Sequence, residues 1–467
     1  MNRRRFIQTT SSLAAALASP VASGFAAPNK TTAPAAPNGQ GVPRFGDGRD
    51  WFFQKRFGMF VHWGLYSIPG WHEQHQWRAR VPRAEYVKLA QQWNPTRFDP
   101  NQWLDLMQEA GMQQVCLTTK HHDGFCLWDT KQTRFNTMNT PYKRDIVGML
   151  AEACHRRHLP LRLYYSVVDW NHPNYPNQGR SHELAPQPGD QPDFGKYLEF
   201  LQAQVRELCT NYGEIAGFWW DMNVTKHQDP SINAMIRQLQ PTCVINDRGF
   251  DRGDFGTPER DFAADASLGF DRLTEACQSV GMESWGFRKD EDYYTDRHLI
   301  RSIDRYLARD GNYLLNVGPR PDGTIPGEAV AILRRIGQWY QAVKESLEGA
   351  RPASPLTSNR NVLLTRGDQR TLYVHLNQDP QGDGVKLKPF NVLPKRATLL
   401  NTGAAVECAV NLTPGDHAEQ KPCLRLLHLP VNELPNTVLV VKLEFDRPLE
   451  ELALTPAVPE KVTDAQK

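Results

Sequence analysis

From Phe57 onward the chain alternates short apolar runs with stretches of helical period. Phe57-Gly58-Met59-Phe60-Val61-His62-Trp63 reads as a first strand. In Pro100 to Gly111, Trp103, Leu106, Met107 and Ala110 recur at three- and four-residue steps and Gly111 stops the run, which predicts a helix. Val115 to Thr119 follows as a strand, Ile146 to His158 as a helix and Leu161 to Tyr165 as a third strand. A helix over Phe194 to Tyr212 leads through Gly213 into the aromatic strand Phe218-Trp219-Trp220-Asp221. Ser231 to Leu239 and Val244 to Asn246 add a helix and a strand. Asp296 to Ala308, Tyr313 to Asn316 and Pro326 to Val343 add a helix, a strand and a last helix. Arg248 to Glu291 shows neither period and reads as irregular. Strands and helices in turn imply a parallel sheet, and about 300 residues suit an α/β fold of the (β/α)8-barrel type with long loops. An open doubly wound sheet is the alternative, but no glycine-rich phosphate loop follows the first strand.

After Gly349 the texture changes. Val362 to Leu364, Leu372 to Leu376, Ala397 to Leu400 and Thr437 to Leu443 are short, often alternating runs separated by Gly, Pro, Asn and Asp. They predict an antiparallel β-sandwich over 349–456, packed against a barrel over 45–348, with a tail at 457–467. A sugar-binding role for the sandwich is the alternative. At the other end, Arg3-Arg4-Arg5-Phe6-Ile7 precedes the small apolar run Leu13 to Ala18 and the small residues around Gly24-Phe25-Ala26. This pattern resembles a twin-arginine-type signal peptide over 1–27, followed by a disordered Pro- and Ala-rich leader over 28–44. The expected location is periplasmic or secreted, and the apolar run is too short for a membrane span.

Composition narrows the partners. The 54 Lys and Arg against 52 Asp and Glu leave a net charge of +2, which makes no electrostatic case for nucleic acid or an anionic membrane. Cys116, Cys126, Cys154, Cys209, Cys243 and Cys277 sit beside apolar runs with no metal-ligand spacing and read as buried thiols. Cys408 and Cys423, in the small C-terminal module, are the best candidates for a bridge.

The chemistry-bearing residues fall at the ends of the predicted strands. His62 ends the first, His121-His122 follow the second, Tyr164-Tyr165 end the third, Asp221 the fourth, and Arg248 follows the fifth. In a parallel barrel, residues at the C-terminal strand ends carry the reaction. Asp221 is therefore the candidate nucleophile, with the His, Tyr and Arg side chains placed to hydrogen-bond the hydroxyls of a sugar. Displacement at an anomeric carbon needs a second carboxyl as proton donor. Glu259, Glu275, Glu283 and Glu73 all lie in loop-like segments, and spacing alone does not choose among them.

Arg56 to Ser67 and Thr118 to Asp129 resemble the opening motifs of the family 29 glycoside hydrolases, the α-L-fucosidases. So do Lys143-Arg144-Asp145, Tyr164-Tyr165-Ser166, Asn211 to Glu214 and Gly311 to Pro319. The likeness runs in order from Trp51 to Trp339. It implies a retaining mechanism with Asp221 as nucleophile, Glu275 as acid/base, no cofactor and no metal, and a fucosylated oligosaccharide or glycoconjugate as substrate. It further implies that His62, His121, His122, Tyr164, Trp219 and Arg248 hold the fucose, with Trp77 and Trp285 beside them. The family often has Glu-Trp where this chain has Gln76-Trp77, so that contact passes to Glu73 or is lost. Thr274 stands where the family usually has a Trp before the acid/base. Two other readings compete. One is a metal-dependent barrel hydrolase using His62, His121, His122 and Asp221; the other is a non-catalytic fucose-binding protein.

Overall fold

Side chains along the parallel strands point alternately to a ring of helices and to a common axis, and this two-residue period builds two separate apolar cores. The computed structural model describes residues 42–260 and 269–452; the expected signal segment, the leader through residue 41 and the tail lie outside them. Seven strands, β1 (Phe57–Val61), β2 (Gln114–Lys120), β3 (Leu161–Ser166), β4 (Gly217–Asp221), β5 (Val244–Ile245), β6 (Glu275–Ser279) and β7 (Asn312–Val317), form one parallel sheet in the order β5-β4-β3-β2-β1-β7-β6. The edge strands β5 and β6 meet through residues 255–259. Phe255 bridges Asn246 on one side, and Gly256 and Glu259 bridge Thr274 and Cys277 on the other. These parallel bridges close the sheet into a (β/α) barrel.

Six helices flank the strands: α1 (Pro100–Glu109), α2 (Ile146–Arg156), α3 (Phe194–Thr210), α4 (Pro230–Leu239), α5 (Asp296–Leu307) and α6 (Gly327–Val343). The first five start on a side-chain cap, from Asp99, Asp145, Asp193, Asp229 and Thr295, each accepting a backbone N–H of the first turn. Such a cap stabilises a helix by about 1 kcal/mol. Met59, Leu117, Leu163, Phe218, Trp220 and Tyr313 face these helices in the outer core. Phe60, Cys116, Tyr164, Trp219, Val244, Cys277 and Leu314 face the axis in the inner core.

The strand β6 corrects the reading of 248–291 as irregular. Its sequence, Glu-Ala-Cys-Gln-Ser, lacks an apolar run because its polar positions are matched by partners elsewhere in the barrel. Glu275, its first residue, is fully buried and forms a bidentate pair with Arg162 of β3, at 2.5 and 2.8 Å. Arg162 also donates to Gln114 Oε1 at 3.1 Å. Its guanidinium lies between the rings of Phe52 and Phe255, 4.9 and 5.2 Å from their centroids. Glycine makes room for this layer. A Cβ at Gly217 would stand 2.8 Å from Arg162 Cγ, and one at Gly58 2.7 Å from Gln114 Cγ.

Beyond α6, β8 (Arg351–Pro352), β9 (Leu363–Arg366), β10 (Thr371–His375), β11 (Val385–Leu387), β12 (Arg396–Leu399), β13 (Glu407–Asn411), β14 (Cys423–Leu427) and β15 (Val440–Glu444) form two antiparallel sheets. One has the order β12-β15-β10-β9-β8, the other β11-β14-β13, and they share a third core that includes Leu364, Val374, Leu387, Leu426 and Leu443. The module is fastened to the barrel through α5: His375 Nδ1 is 2.6 Å from Asp304 Oδ1, and Asn377 donates to Asp304 Oδ2 at 2.8 Å. All eight cysteines are free thiols. Cys408 and Cys423 sit on paired strands but opposite Leu426 and Asn411, three positions out of register. That offset is roughly 10 Å along a strand, beyond the span of a disulfide.

Glu275→Gln should lower unfolding free energy by about 3–5 kcal/mol, because it leaves the Arg162 charge buried without its partner. A denaturant titration showing wild-type stability would refute a structural role for this pair.

Candidate active site

Five elements bring the predicted strand-end residues to one rim. Asp221 closes β4, and the next residue, Met222, takes the left-handed conformation (φ 57°) that turns the chain away sharply. A non-glycine residue held there costs about 1 kcal/mol or more and persists only where its surroundings enforce it. Asn246 supplies that constraint: its side-chain oxygen accepts from Trp220 N–H at 2.8 Å and its amide donates to Trp220 O at 2.9 Å. Asp221 is 9 % exposed overall. Its Oδ2 accepts from Tyr164 Oη at 2.7 Å, and its Oδ1 accepts from Arg248 Nη1 at 3.3 Å.

Arg248 is the hub of the charged groups. Nε donates to Thr257 Oγ1 at 2.7 Å and Nη2 to Thr257 O at 2.6 Å, which fixes the plane of the guanidinium. The group lies 4.7 Å above the Trp219 ring. Nη1, already bound to Asp221, also donates to Glu259 Oε1 at 2.5 Å. The nearest oxygens of Asp221 and Glu259 are thus within about 6 Å of each other, which fits the roughly 5–5.5 Å of a covalent mechanism and falls short of the roughly 6.5–9.5 Å needed to hold a water between them. Glu259 is 43 % exposed at its side chain and stands opposite Cys277, two residues further along β6 than Glu275.

The expected acid/base Glu275 is therefore not brought to this site. It begins β6 at the opposite end of the barrel and is committed to Arg162. Glu283, another alternative, is exposed, with its backbone N–H on Glu291. The sequence pattern puts Glu259 and Glu275 alike in a loop, and only the strand register separates the two ends.

The histidines line the wall as neutral rings. Burial pushes His122 down to about 3, and burial likewise lowers His62 and His121. His122 Nε2 is 3.8 Å from Asp221 Oδ2, but an uncharged ring makes this a gap between two polar atoms and not an ion pair. Hydrogen-bond partners assign the tautomers. Asn316 donates its amide to Ser279 Oγ and Trp285 O, so its oxygen accepts from His62 Nδ1 at 2.7 Å. Ser166 donates to Val168 O, so it accepts from His122 Nδ1 at 2.7 Å. Both Nε2 atoms are left as acceptors. His121 stacks on Tyr164 with ring planes 7° apart, and its buried Nδ1 has no partner. A buried ion pair, Lys120 to Asp169 at 2.8 Å, ties the end of β2 to the loop after β3 and steadies the two histidines that follow Lys120. Among the described residues no group of three or more His, Cys, Asp or Glu is spaced to hold a metal ion.

The aromatic residues divide. Trp219 is 1 % exposed and forms the floor under Arg248, stacked on Tyr164. Trp285 lies against His62 at 5.3 Å, held by its N–H on Glu73 Oε2 at 2.9 Å. Glu73 is buried, and Ser284 Oγ donates to the same oxygen at 2.9 Å, so its visible work is to position the Trp285 loop. Trp77 stacks on His182 at 4.8 Å on the other flank. Asn316, Ser166, Asn246 and Thr257 are parts of the site that the strand-end pattern does not single out. Asn316 has a signal of its own, as a polar residue ending an apolar strand; the others carry none comparable.

Because the three buried histidines favour the neutral form, the unfolded chain gains protons first below pH 6.5. Stability should fall with acidification by up to about 1.4 kcal/mol per pH unit for each ring. A pH-independent denaturant midpoint between about 6.5 and 4.5 would contradict this.

Known proteins resemble this chain over most of its length. A family model described as Alpha-L-fucosidase matches residues 44–345. The tissue alpha-L-fucosidase of Mus musculus is 27% identical over 424 residues, covering 84% of this chain and 89% of the mouse protein. The solved alpha-L-fucosidase isoenzyme 1 from Paenibacillus thiaminolyticus superposes with a TM-score of 0.74 at 31% identity, covering 85% of this chain and 99% of that one. A Bacteroides thetaiotaomicron alpha-L-fucosidase, solved as a trapped covalent intermediate with 2-fluoro-fucosyl fluoride, gives 0.72 at 29% identity, covering 86% and 98%.

Proposed function

The chain belongs to the α-L-fucosidase family, and from that premise we propose that it is a retaining exo-α-L-fucosidase, releasing terminal α-L-fucose from glycans by double displacement. The observation that carries the reading is the pair of carboxylates, Asp221 and Glu259, hydrogen-bonded to one guanidinium nitrogen. In the first step Glu259 acts in its protonated form, with Oε1 on Arg248: an oxygen of Asp221 attacks the anomeric carbon while the Glu259 carboxyl gives its proton to the departing glycosidic oxygen. This forms a glycosyl ester and frees the leaving group. In the second, Glu259 takes a proton from water, whose oxygen attacks the same carbon and expels Asp221, giving fucose of retained configuration.

Other groups serve these two steps. The Tyr164 hydroxyl and Arg248 aim the Asp221 oxygens. The acceptor nitrogens of His62 and His122 suit the hydroxyl donors of one sugar. Trp285 supplies an apolar wall for the fucose methyl, a contact worth about 1–3 kcal/mol in discrimination. Export by the twin-arginine-type signal is part of the proposal and rests on Arg3 to Ala27 alone.

Asp221→Ala should lose ~10⁴-fold or more in kcat while remaining folded, since the covalent route is closed. Normal turnover in that variant would end the assignment. Glu259→Ala should lose about 10²–10⁴-fold on glycans and be rescued by azide, giving a fucosyl azide of retained configuration. Rescue of Glu283→Ala in its place, or release of fucose with inverted configuration, would overturn the division of labour between Asp221 and Glu259.

A further inference from the structure

Three large hydrophobic side chains stand open to solvent among the described residues: Trp71 (44 %), Met282 (42 %) and Leu393 (54 %). Leu393 belongs to the β-module. Trp71 and Met282 lie on the loops that follow β1 and β6, at the same end of the barrel as Asp221. The two loops are fastened together. Lys289 N–H donates to Gly70 O at 3.0 Å, and Glu73, two residues after Trp71, accepts from Ser284 and Trp285. Trp71 is itself braced by the rings of His72 and His75, at 5.9 and 5.6 Å.

A path of contacts joins this edge to the proposed acid. Arg260 directly follows Glu259, lies 5.1 Å over the Trp285 ring and donates through Nη1 to Met282 O. A general acid must touch the glycosidic oxygen, so the leaving group emerges beside Glu259. Beside Glu259 stands Arg260, over Trp285 and bonded to Met282 O, with Trp71 on the adjoining loop. Trp71 and Met282 thus put two exposed apolar side chains on fastened loops at this end of the barrel. An indole offers a flat apolar face with a polar edge, which suits the C–H face of a pyranose, and a guanidinium suits its hydroxyls.

We propose that Trp71, Met282 and Arg260 form a subsite for the sugar to which fucose is attached, so that the substrate is an oligosaccharide read on both sides of the scissile bond. The proposal rests on the assignment of Glu259 as acid/base, and two kinds of substrate separate it from that reading. α-L-Fucosyl fluoride has a leaving group too small to reach the subsite; a panel of linkage-defined fucosyl trisaccharides extends across it. Trp71→Ala and Met282→Ala should keep kcat/KM on the fluoride within about two-fold. The same variants should lose about ten-fold on the trisaccharide that wild-type enzyme prefers, chiefly through KM. Leu393→Ala should change neither. Equal losses on both substrates, no loss on the trisaccharide, or wild-type turnover of the fluoride but of no trisaccharide would overturn the subsite. Failure of wild-type enzyme on the fluoride would instead overturn the fucosidase reading.

Discussion

The buried pair of Arg162 and Glu275 ties β3 to β6 across the barrel axis and organises the layer of the barrel around it. Removing two charges from water costs several kcal/mol each, and the loss is offset only when the geometry is bidentate and the remaining donors are met. The rest of that layer meets this demand in part, leaving the buried Arg162 Nε without a hydrogen-bond partner. Gln114 takes a further guanidinium hydrogen, Phe52 and Phe255 plate the two faces, and Gly58 and Gly217 omit the side chains that would collide. Once Glu275 is anchored, the rest of β6 and its bridged neighbour have no freedom of register. Glu259 then stands opposite Cys277, at the height of the strand ends. A stabilising carboxylate at one end of β6 thus lies below the proposed acid/base, which its bridged neighbour carries at the other end.

At that upper end the balance of charge is spare. Two carboxylates share one cation, and the surrounding imidazoles are uncharged because burial disfavours their protonated form. Two of these rings commit their Nδ1 protons to Asn316 and Ser166, which turns a cluster of bases into a wall of acceptors. Such a wall matches a polyhydroxylated ligand, whose hydroxyls each bring a proton. It also leaves the strong field of Arg248 directed at Asp221 and Glu259, where the proposed reaction moves charge.

The β-module bears on the barrel through α5, which precedes β7. Asp304 there is fully buried and is met by His375 and Asn377 from the module, while Thr365 of β9 donates to Ser346 O at the end of the barrel. Trp339 of α6 reaches across to Val438 O at 3.1 Å. These bonds satisfy buried polar groups of both parts, so neither surface is complete without the other. They support the packing role for the module.

Much of this was legible in one dimension. Helices and strands with a continuous apolar face, from Phe57–Val61 through Gly327–Val343, announce themselves because the side chains they display supply the burial that stabilises them. Asp221, His62, His121, His122, Tyr164 and Arg248 follow from the same reasoning, since each ends or follows a strand that its own hydrophobicity reveals. The strand Glu275–Ser279 does not, because Glu275, its buried charge, is balanced by Arg162, more than a hundred positions away in the chain. For the same reason the sequence by itself determined the barrel class, the β-module and the nucleophile candidate. Only the tertiary structure decided which glutamate faces Asp221, because the end of the barrel a carboxylate occupies is set by register across the closed sheet, and register is a property of the partner strand as much as of its own.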